Sequence, residues 1–328
     1  MKKRTRNILI GTGITVAGIG AVTAVSYKLT QKLLKIAMDR EEPEIMTKNK
    51  GKLTGVSGEK AEFLAEIASG AERLENGGCE QVEIESHDGL KLIGHWHTCE
   101  NPRRVIIAMH GWRSTWSHDF GAIADFWHDN DCAVLYAEQR GQGNSGGEYM
   151  GFGLMERYDC LDWINWVNMH TGGELPIYLG GVSMGATTIL MTAGFELPDN
   201  VKGIVADCGF TSPHAIWKHV VERNLHIPYD GIRGAIASDM CKRKINIGAK
   251  DYSAVDAMRE CQVPVLFIHG TDDHFVPIEM TYENYKACAA PKRLLIVPGA
   301  EHAMSYFVDK DGYEKAVKDF WKEFDQSE

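Results

Sequence analysis

The sequence lacks an excess of positive charge. It carries 35 Lys and Arg residues against 45 Asp and Glu residues, and its formal net charge is −10. A protein that binds nucleic-acid phosphates generally needs a basic surface, so no nucleic-acid partner is expected. Internal repeats and low-complexity tracts are also missing. With 44 % hydrophobic and 24 % charged residues among 328, the composition is typical of a globular enzyme or binding module.

The cysteines form no CxxC pair and show no regular metal-ligand spacing. All eight lie between residues 79 and 288, at Cys79, Cys99, Cys132, Cys160, Cys208, Cys241, Cys261 and Cys288. Several adjoin predicted buried strands, where a free cysteine behaves as a small hydrophobe. This scatter favours a reduced or anaerobic setting over a disulfide framework.

Residues 1–30 form a separate segment. Four basic residues precede an uncharged stretch from Asn7 to Tyr27, and Lys28 follows it. About 20 helical residues span roughly 30 Å, the thickness of a bilayer core. We therefore predict a single-pass membrane anchor with the remainder of the chain extracytoplasmic. Two alternatives stay open: a signal peptide cleaved near Ala24, giving a secreted protein, and a buried glycine-rich helix in a cytoplasmic one.

The rest of the chain divides into an arm and one large domain. Residues 31–78 are polar and helix-prone, which predicts a helical arm or linker. Residues 79–328 begin with a hairpin pattern and continue with short apolar runs separated by helical stretches. Continuous runs are typical of strands buried on both faces, in a parallel sheet with crossover helices. The runs are Val105–Met109, Ala133–Tyr136, Ile177–Leu179, Gly203–Ala206, Val263–Ile268 and Leu294–Val297.

One motif indicates nucleophilic chemistry. Gly181-Val182-Ser183-Met184-Gly185 stands between a predicted buried strand and a predicted helix. G-x-S-x-G in that context is typical of a nucleophile elbow, a turn so tight that side chains at the glycine positions would collide with its neighbours. The turn exposes the serine hydroxyl at a helix N-terminus, which favours developing negative charge. Ser183 is the predicted nucleophile.

A nucleophilic serine needs a base, and the base needs an orienting carboxylate. In the elbow architecture these follow in the order Ser, Asp, His, each after the end of a strand. His302 lies in the loop after the last predicted strand and is the predicted base. Asp272 and Asp273 are adjacent in the loop after the preceding strand, and Asp207 ends the strand before that. The residues alone leave the choice among these three aspartates open.

An oxyanion hole is expected from two backbone amides. One belongs to Met184, the residue after the nucleophile, and the other to the loop after Val105–Met109. That loop begins His110-Gly111-Trp112, and the glycine allows it to curl towards the serine. The amide of Trp112 is the predicted second donor.

From Val82 to about Phe324 the chain resembles the α/β-hydrolase-fold serine hydrolases. Besides the elbow, it carries the family's H-G-x after the third strand, a variant of D-x-R-G-x-G-x-S after the fourth, and H-G-x-x-D-x-x-V-P before the histidine loop. This resemblance implies a mostly parallel central sheet with helices on both faces. It also assigns the acid to Asp273, and the fold needs no metal or organic cofactor.

The stretch from Gln139 to Gly147, with Met150–Gly153 and Glu156-Arg157 after it, resembles a narrower group. This group comprises bacterial hydrolases with an N-terminal membrane segment, described as lysophospholipase-like or serine-aminopeptidase-like. One departure is Glu138, where the family usually has Asp. Because that position is normally structural, the departure casts little doubt on activity.

Residues 211–251 are too long for a simple loop between strands. They carry apolar residues at partly helical spacing, and the resemblance implies a short helical lid over the site. The alternative is a helical excursion packed on the core. His214, His219 and His226 lie here, but without an HExxH pattern we predict no zinc site.

These observations predict a serine hydrolase that cleaves a carboxylic ester, lipid-like acyl esters included, through an acyl-enzyme. The expected partners are a small-molecule ester or acyl substrate and, through the N-terminal segment, a membrane. A serine peptidase or amidase acting on small peptides is the alternative, because the same triad serves both bonds. Glu222 and Asp230 are its only candidate amine anchors. A non-catalytic ligand-binding protein on the same scaffold is a more distant possibility.

Overall fold

The structure, a computed structural model, describes residues 24–42 and 61–325. The strands are β1 (Glu80–Glu85), β2 (Lys91–His97), β3 (Arg104–Met109), β4 (Cys132–Ala137), β5 (Ile177–Val182), β6 (Val201–Asp207), β7 (Val265–Gly270) and β8 (Lys292–Val297). The helices are α1 (24–38), α2 (Ala61–Glu75), α3 (Trp116–His128), α4 (Glu156–Thr171), α5 (Met184–Thr192), α6 (Pro213–His219), α7 (Gly231–Ile245), α8 (Ala254–Glu260), α9 (Ile278–Ala287), α10 (Ser305–Val308) and α11 (Lys310–Phe324), with a π-helical turn at Val220–Asn224.

The strands form one sheet in the order β1-β2-β4-β3-β5-β6-β7-β8. Pairing is antiparallel from β1 to β2 and from β2 to β4, and parallel for the rest. Every residue of β3, β4 and β7 is buried, as continuous apolar runs predict for strands covered on both faces. The predicted mostly parallel sheet with helices on both faces is confirmed. The carboxyl ends of β3 to β8 lie at one edge, and the predicted site residues all follow them.

The predicted strand Val263–Ile268 begins later than expected. In the structure β7 starts at Val265, and the carbonyl of Pro264 accepts a hydrogen bond from the Ile204 amide at 2.9 Å. Proline has no amide hydrogen to donate to a strand ladder, which favours a start after it. The strand then runs two residues further, to Gly270, and so reaches the loop that carries Asp273.

The helical segment before the sheet packs on the domain. Its second helix, α2, crosses α3 where Gly70 meets Gly121, and a Cβ on Gly70 would lie 2.7 Å from the carbonyl carbon of Gly121. The absence of side chains at this crossing therefore lets the two backbones touch. Its first helix, α1, buries Leu34 and Met38 in the main core.

The predicted membrane anchor, with its extracytoplasmic domain, is corrected by the structure. Among residues 24–42 and 61–325, no helix is long and apolar enough to cross a membrane. The end of the predicted span, residues 24–27, belongs to α1, whose inner side is buried against the domain and whose outer side carries Lys28, Lys32 and Lys35. A helix that uses one face for packing and the other for charge is amphipathic rather than apolar all round. Residues 7–23 of the predicted span lie outside the described residues.

Residues 211–251, predicted as a lid, contain α6, the π-helical turn and α7. Three helices begin in or just after this segment, and each has a side-chain cap. Ser212, Asp230 and Ser253 accept hydrogen bonds from the amides of Ala215, Arg233 and Asp256, the third residue of each helix. Such caps satisfy amides that have no partner within the helix. The segment is thus a folded unit over the carboxyl end of the sheet.

Candidate active site

The turn from β5 to α5 holds Ser183 in an unusual backbone conformation. Its φ is 56° and its ψ is −114°, a region that side-chain-bearing residues rarely adopt. A Cβ on Gly181 would lie 2.6 Å from the carbonyl carbon of Gly185, and a Cβ on Gly185 would overlap the carbonyl oxygen of Met109. Both positions therefore require glycine, for the reason the motif suggests. The strained turn presents Ser183 at the N-terminus of α5.

His302 lies between Ser183 and Asp273. Its Nε2 is 2.9 Å from Ser183 Oγ, and its Nδ1 is 2.7 Å from Asp273 Oδ2. An ionised carboxylate only accepts hydrogen bonds, so Nδ1 carries the proton and Nε2 is free to accept the one on the serine hydroxyl. The structure thus brings together the three side chains that the sequence predicts as nucleophile, base and acid, from the loops after β5, β7 and β8.

Asp273 is held by its own loop. Its Oδ1 accepts hydrogen bonds from the amides of Phe275 at 2.9 Å and Val276 at 2.8 Å. Burial raises the pKa of Asp273, but His302 and the neighbouring His269 outweigh burial and bring that pKa well below its usual range. The carboxyl group is therefore ionised at neutral pH, as an orienting acid must be.

The two competing aspartates lie elsewhere. Asp272 is exposed, and its Oδ1 accepts a hydrogen bond from Thr271 Oγ1 at 2.7 Å. Asp207 is buried behind the triad, where Ser305 Oγ donates to its Oδ1 at 3.1 Å. Burial raises the pKa of Asp207 to about 6. The ring nitrogens of His302 instead contact Asp273 and Ser183.

Sequence reasoning missed the role of a second histidine. His269 is fully buried, with Nδ1 at 2.7 Å from Thr281 Oγ1 and Nε2 at 2.9 Å from the carbonyl oxygen of Val276. The same Nε2 is 3.2 Å from Asp273 Oδ2. Burial lowers the pKa of His269, but Asp273 and the Val276 carbonyl more than compensate and raise it above the ordinary value. The only sequence signal was its position as the first residue of H-G-x-x-D.

The loop after β3 is fastened on both sides of Trp112. The Gly111 amide donates to Asp119 Oδ2 at 2.6 Å, and the Arg113 amide donates to Gln142 Oε1 at 2.5 Å. A Cβ on Gly111 would lie 3.5 Å from the Cβ of Ser183, so the loop passes close to the nucleophile. The amides of the residues on either side of Trp112 are thus hydrogen-bonded to Asp119 and Gln142, and the Trp112 amide lies between them along the chain. Asp119, in the first turn of α3, was not anticipated from the sequence.

A buried network joins this loop to the nucleophile helix. His110 contacts the Gly111 carbonyl through Nδ1 at 2.8 Å and accepts from the Gln139 amide through Nε2 at 3.1 Å. Burial lowers the pKa of His110, in keeping with a neutral ring that donates once and accepts once. Gln139 also donates to the His110 carbonyl and accepts from Thr188 Oγ1 on α5 at 3.0 Å. These hydrogen bonds therefore fix the loop after β3 relative to α5, the helix that begins after Ser183.

Glu138, the departure from the family pattern, also has a structural position. Its carboxylate is buried and 2.8 Å from His95 Nε2 on β2, and it accepts hydrogen bonds from the Asn144 amide and, at 3.2 Å, from Asn144 Nδ2. Glu138 thus ties the glycine-rich loop after β4 to the antiparallel side of the sheet. It takes no part in the contacts around Ser183.

Ser183 opens into a pocket whose empty space, open solvent included, is about 850 Å³. Most of the lining is apolar, and it comes from three places: the core, the lid segment and α1. The lining residues are Thr30, Leu33, Leu34, Ile36, Ala37, Trp112, Phe152, Phe210, Ile216, Trp217, Val220, Val221, Leu225, Tyr229, Arg233, Ala237 and Phe275. None of these described residues is acidic, and one, Arg233, is basic.

Sheet order, elbow and loop positions define the class: this is the α/β-hydrolase fold. Residues 100–229 match the family model described as serine aminopeptidase, S33. This range includes the predicted oxyanion loop and Ser183 and ends before Asp273 and His302. Fold and family match together indicate a hydrolase of the α/β-hydrolase type.

Three known proteins show the range of this similarity. The uncharacterized protein YqkD of Bacillus subtilis (strain 168) is 30 % identical over 187 residues, which make up 57 % of this chain and 61 % of that protein, less than two thirds of its length. The esterase Pf2001 of Pyrococcus furiosus superposes with a TM-score of 0.63 at 20 % identity, over 77 % of this chain and 94 % of its own. The acylaminoacyl peptidase of Pyrococcus horikoshii gives 0.58 at 16 %, over 76 % and 42 %.

Proposed function

We propose that this protein is a serine hydrolase that cleaves carboxylic esters with an apolar acyl group, through an acyl-enzyme. The observation that carries the proposal is the position of Ser183 in a largely apolar pocket whose described lining contains no carboxylate. Apolar walls favour an acyl chain through burial of its surface, at roughly 0.8 kcal/mol for each methylene. The hydrogen bond between Ser183 Oγ and His302 Nε2 places a general base next to the proposed nucleophile.

In the first half of the reaction His302 Nε2 accepts the Ser183 proton as Oγ forms a bond to the ester carbonyl carbon. The carbonyl oxygen becomes an oxyanion, for which the amides of Trp112 and Met184 are the proposed donors. Asp273 stabilises the imidazolium through Nδ1. His302 then gives its proton to the leaving alkoxide, the C–O bond breaks, and the alcohol departs.

In the second half a water molecule attacks the acyl carbon while His302 again accepts a proton. The second oxyanion collapses, and the bond to Ser183 Oγ breaks. The proton on His302 returns to the serine, and the carboxylic acid leaves. These steps use the side chains of Ser183, His302 and Asp273 and two backbone amides.

A peptidase or amidase is the second candidate, and the description of the matched family favours it. A peptidase that binds a free amine needs a carboxylate near the serine. The two candidates from the sequence have other partners: Glu222 pairs with Lys218 and accepts from the Tyr229 amide at 3.3 Å, and Asp230 caps α7. Neither lines the pocket with Ser183. The pocket therefore favours esters.

Kinetics on two matched substrate panels test the proposal. One panel contains p-nitrophenyl esters of increasing acyl length, and the other contains aminoacyl p-nitroanilides. We expect kcat/KM to rise with acyl length in the first panel and to be far lower throughout the second. A preference for the anilides would favour the peptidase instead. Absence of both activities, together with absence of fluorophosphonate labelling, would leave a non-catalytic ligand-binding protein.

A further inference from the structure

The helix α1 has two unlike faces. Ser26, Thr30, Leu34 and Met38, spaced four residues apart, are buried, and Thr30 is only 2 % exposed. The opposite face carries exposed side chains such as Lys32. Residues four apart lie one above the other on a helix, so the buried set forms a single stripe against the domain.

The edge of that stripe enters the pocket that contains Ser183. Thr30, Leu33 and Ala37 line it from one side, together with Leu34 and Ile36. The lid segment lines it with Trp217, Val221 and Leu225, among others. A segment more than 140 residues before the nucleophile thus supplies part of the surface that a bound chain would contact.

The last turn of α1 is fastened to the loop that carries the proposed oxyanion donor. Trp112 Nε1 donates to the carbonyl of Ala37 at 2.8 Å. The guanidinium of Arg113 donates to the carbonyls of Ile36 at 2.9 Å and Asp39 at 2.6 Å. Carbonyls at a helix C-terminus lack partners within the helix, and a cation there is favourable. These bonds hold α1 at a set distance from the loop.

Two further contacts fix the same end of α1. Asp39 pairs with Lys244 of α7 at 2.7 Å, with both side chains largely buried. Arg40 donates to the carbonyls of Ser145 at 2.6 Å and Gly143 at 2.7 Å in the loop after β4. The helix is therefore held by the lid segment and by the loops after β3 and β4, and its inner face forms one wall of the pocket.

We propose that this inner face determines which acyl chains the enzyme accepts, with Leu33 and Ala37 as specificity-determining residues. The inference rests on the proposed ester hydrolysis and adds to it the element that limits acyl length. A small side chain at position 37 leaves room beside the pocket lining, and the larger Leu33 fills the neighbouring space. A larger side chain at position 37 should shorten the chain that fits, and a smaller one at position 33 should lengthen it.

The test uses the full chain and p-nitrophenyl acetate, butyrate, octanoate and dodecanoate. Ala37→Trp fills the pocket, so kcat/KM for octanoate relative to acetate falls at least about tenfold, the equivalent of about two lost methylene contacts. Leu33→Ala enlarges it, so the ratio of dodecanoate to butyrate rises severalfold. Lys32→Trp places the same bulky residue on the outer face of α1 and leaves the profile of the wild type unchanged.

An unaltered profile in both Ala37→Trp and Leu33→Ala, with the variants folded by circular dichroism, would overturn the proposal. An equal change in Lys32→Trp would do so as well, because the effect would then come from α1 as a whole. Opposite shifts in the two inner-face variants, with none in the outer-face variant, support it.

A binding measurement separates this inference from the proposed activity. Wild type and the two inner-face variants are each combined with Ser183→Ala and titrated with butyrate, octanoate and dodecanoate, with the thermal shift as readout. Ala37→Trp weakens octanoate binding and Leu33→Ala strengthens dodecanoate binding if α1 limits the chain. If these shifts occur and the protein with Ser183 intact hydrolyses no ester, the proposed function is wrong and the role of α1 in limiting the bound chain is supported. If that protein hydrolyses esters but the shifts are absent, only the role of α1 is wrong.

Discussion

The catalytic edge of the sheet and the cover above it are built in different ways. By the catalytic edge we mean the loop after β3 and the loops that carry Ser183, Asp273 and His302. By the cover we mean α1 and residues 211–251. At the catalytic edge several groups have hydrogen-bond partners close by in the chain: Asp273 Oδ1 accepts from the amides of Phe275 and Val276, and the Gly111 amide donates to Asp119. The cover meets the pocket through apolar side chains, and its fastening comes from distant residues, as with Arg113 and Ile36.

Because of this difference, substitutions in the two regions should have different effects. Short-range hydrogen bonds set the direction of a donor or acceptor to within a few tenths of an ångström, and a change there alters the chemistry. Apolar contacts depend on volume, and a change there alters which substrate fits. We therefore expect substitutions at the catalytic edge to act on kcat and substitutions in the cover to act on substrate preference.

The largest effect is expected for Ser183→Ala. Loss of a triad nucleophile costs on the order of 10⁶ in kcat, and fluorophosphonate labelling should disappear with it. The fold should persist, because the elbow depends on Gly181 and Gly185 rather than on the hydroxyl. Circular dichroism provides the control for folding. Labelling of another serine in the variant would show that the catalytic edge has been assigned to the wrong residue.

The next effect distinguishes two adjacent carboxylates. Asp273→Asn should lower kcat by about 10⁴, because an amide in place of the carboxylate favours the wrong tautomer of His302. Asp272→Asn is the matched control, since that side chain is exposed and bonded only within its turn. Steady-state kinetics of both variants decide the matter. A larger loss in Asp272→Asn, or a loss only in Asp207→Asn, would contradict the assignment.

A smaller effect is expected where the cover meets the catalytic edge. Arg113→Met keeps most of the side-chain volume and removes the donors to the carbonyls of Ile36 and Asp39. Hydrogen bonds to a charged group are worth about 1.5–3 kcal/mol, so kcat/KM should fall roughly tenfold and α1 should become more sensitive to limited proteolysis. Arg73→Met, which removes an exposed ion pair with Asp125, is the surface control. Equal behaviour of the two variants would argue against a fastening role for Arg113.

The smallest effect concerns pH and stability. The pKa of Asp207 is about 6 in the folded chain, above the unfolded value of about 3.9. The unfolded chain therefore releases this proton first, and the contribution of Asp207 to stability, complete below about pH 4, is lost as pH rises through about 6. Asp207→Asn should flatten this part of the curve of unfolding free energy against pH. Denaturant titrations across the range measure it, and an unchanged slope would contradict the raised pKa.

The sequence predicted the parallel strands and the tight turn at Ser183 well because these elements are local. Buried runs placed the parallel strands, and G-x-S-x-G requires glycine on both sides of Ser183 whatever surrounds it, as the contacts of Gly181 and Gly185 show. Since parallel strands end at one edge, the loops with Asp273 and His302 were expected to meet there. The choice of Asp273 over Asp207 needed the family resemblance, because both follow buried strands.

The prediction that failed concerned a segment whose partners are distant in sequence. An uncharged stretch between basic residues predicts a membrane span when it is considered alone. Of that stretch the structure describes residues 24–27, which begin α1, and α1 packs one face against a domain whose contacting residues lie far along the chain, such as Trp112 and Arg113. Similarly, the placement of Asp119 under Gly111 and of His269 behind Asp273 could not be deduced without the fold.

By itself, then, the amino-acid sequence determined the α/β architecture, the nucleophile elbow and the order of the candidate triad. Each of these depends on backbone geometry and burial within a few residues. The residues alone left three aspartates open, the family resemblance implied Asp273, and the tertiary structure places Asp273 against His302. Only the tertiary structure showed that α1 and the lid segment enclose the pocket. Such contacts depend on how folded elements pack, and the periodic pattern of a buried helix face does not identify the distant element against which it packs.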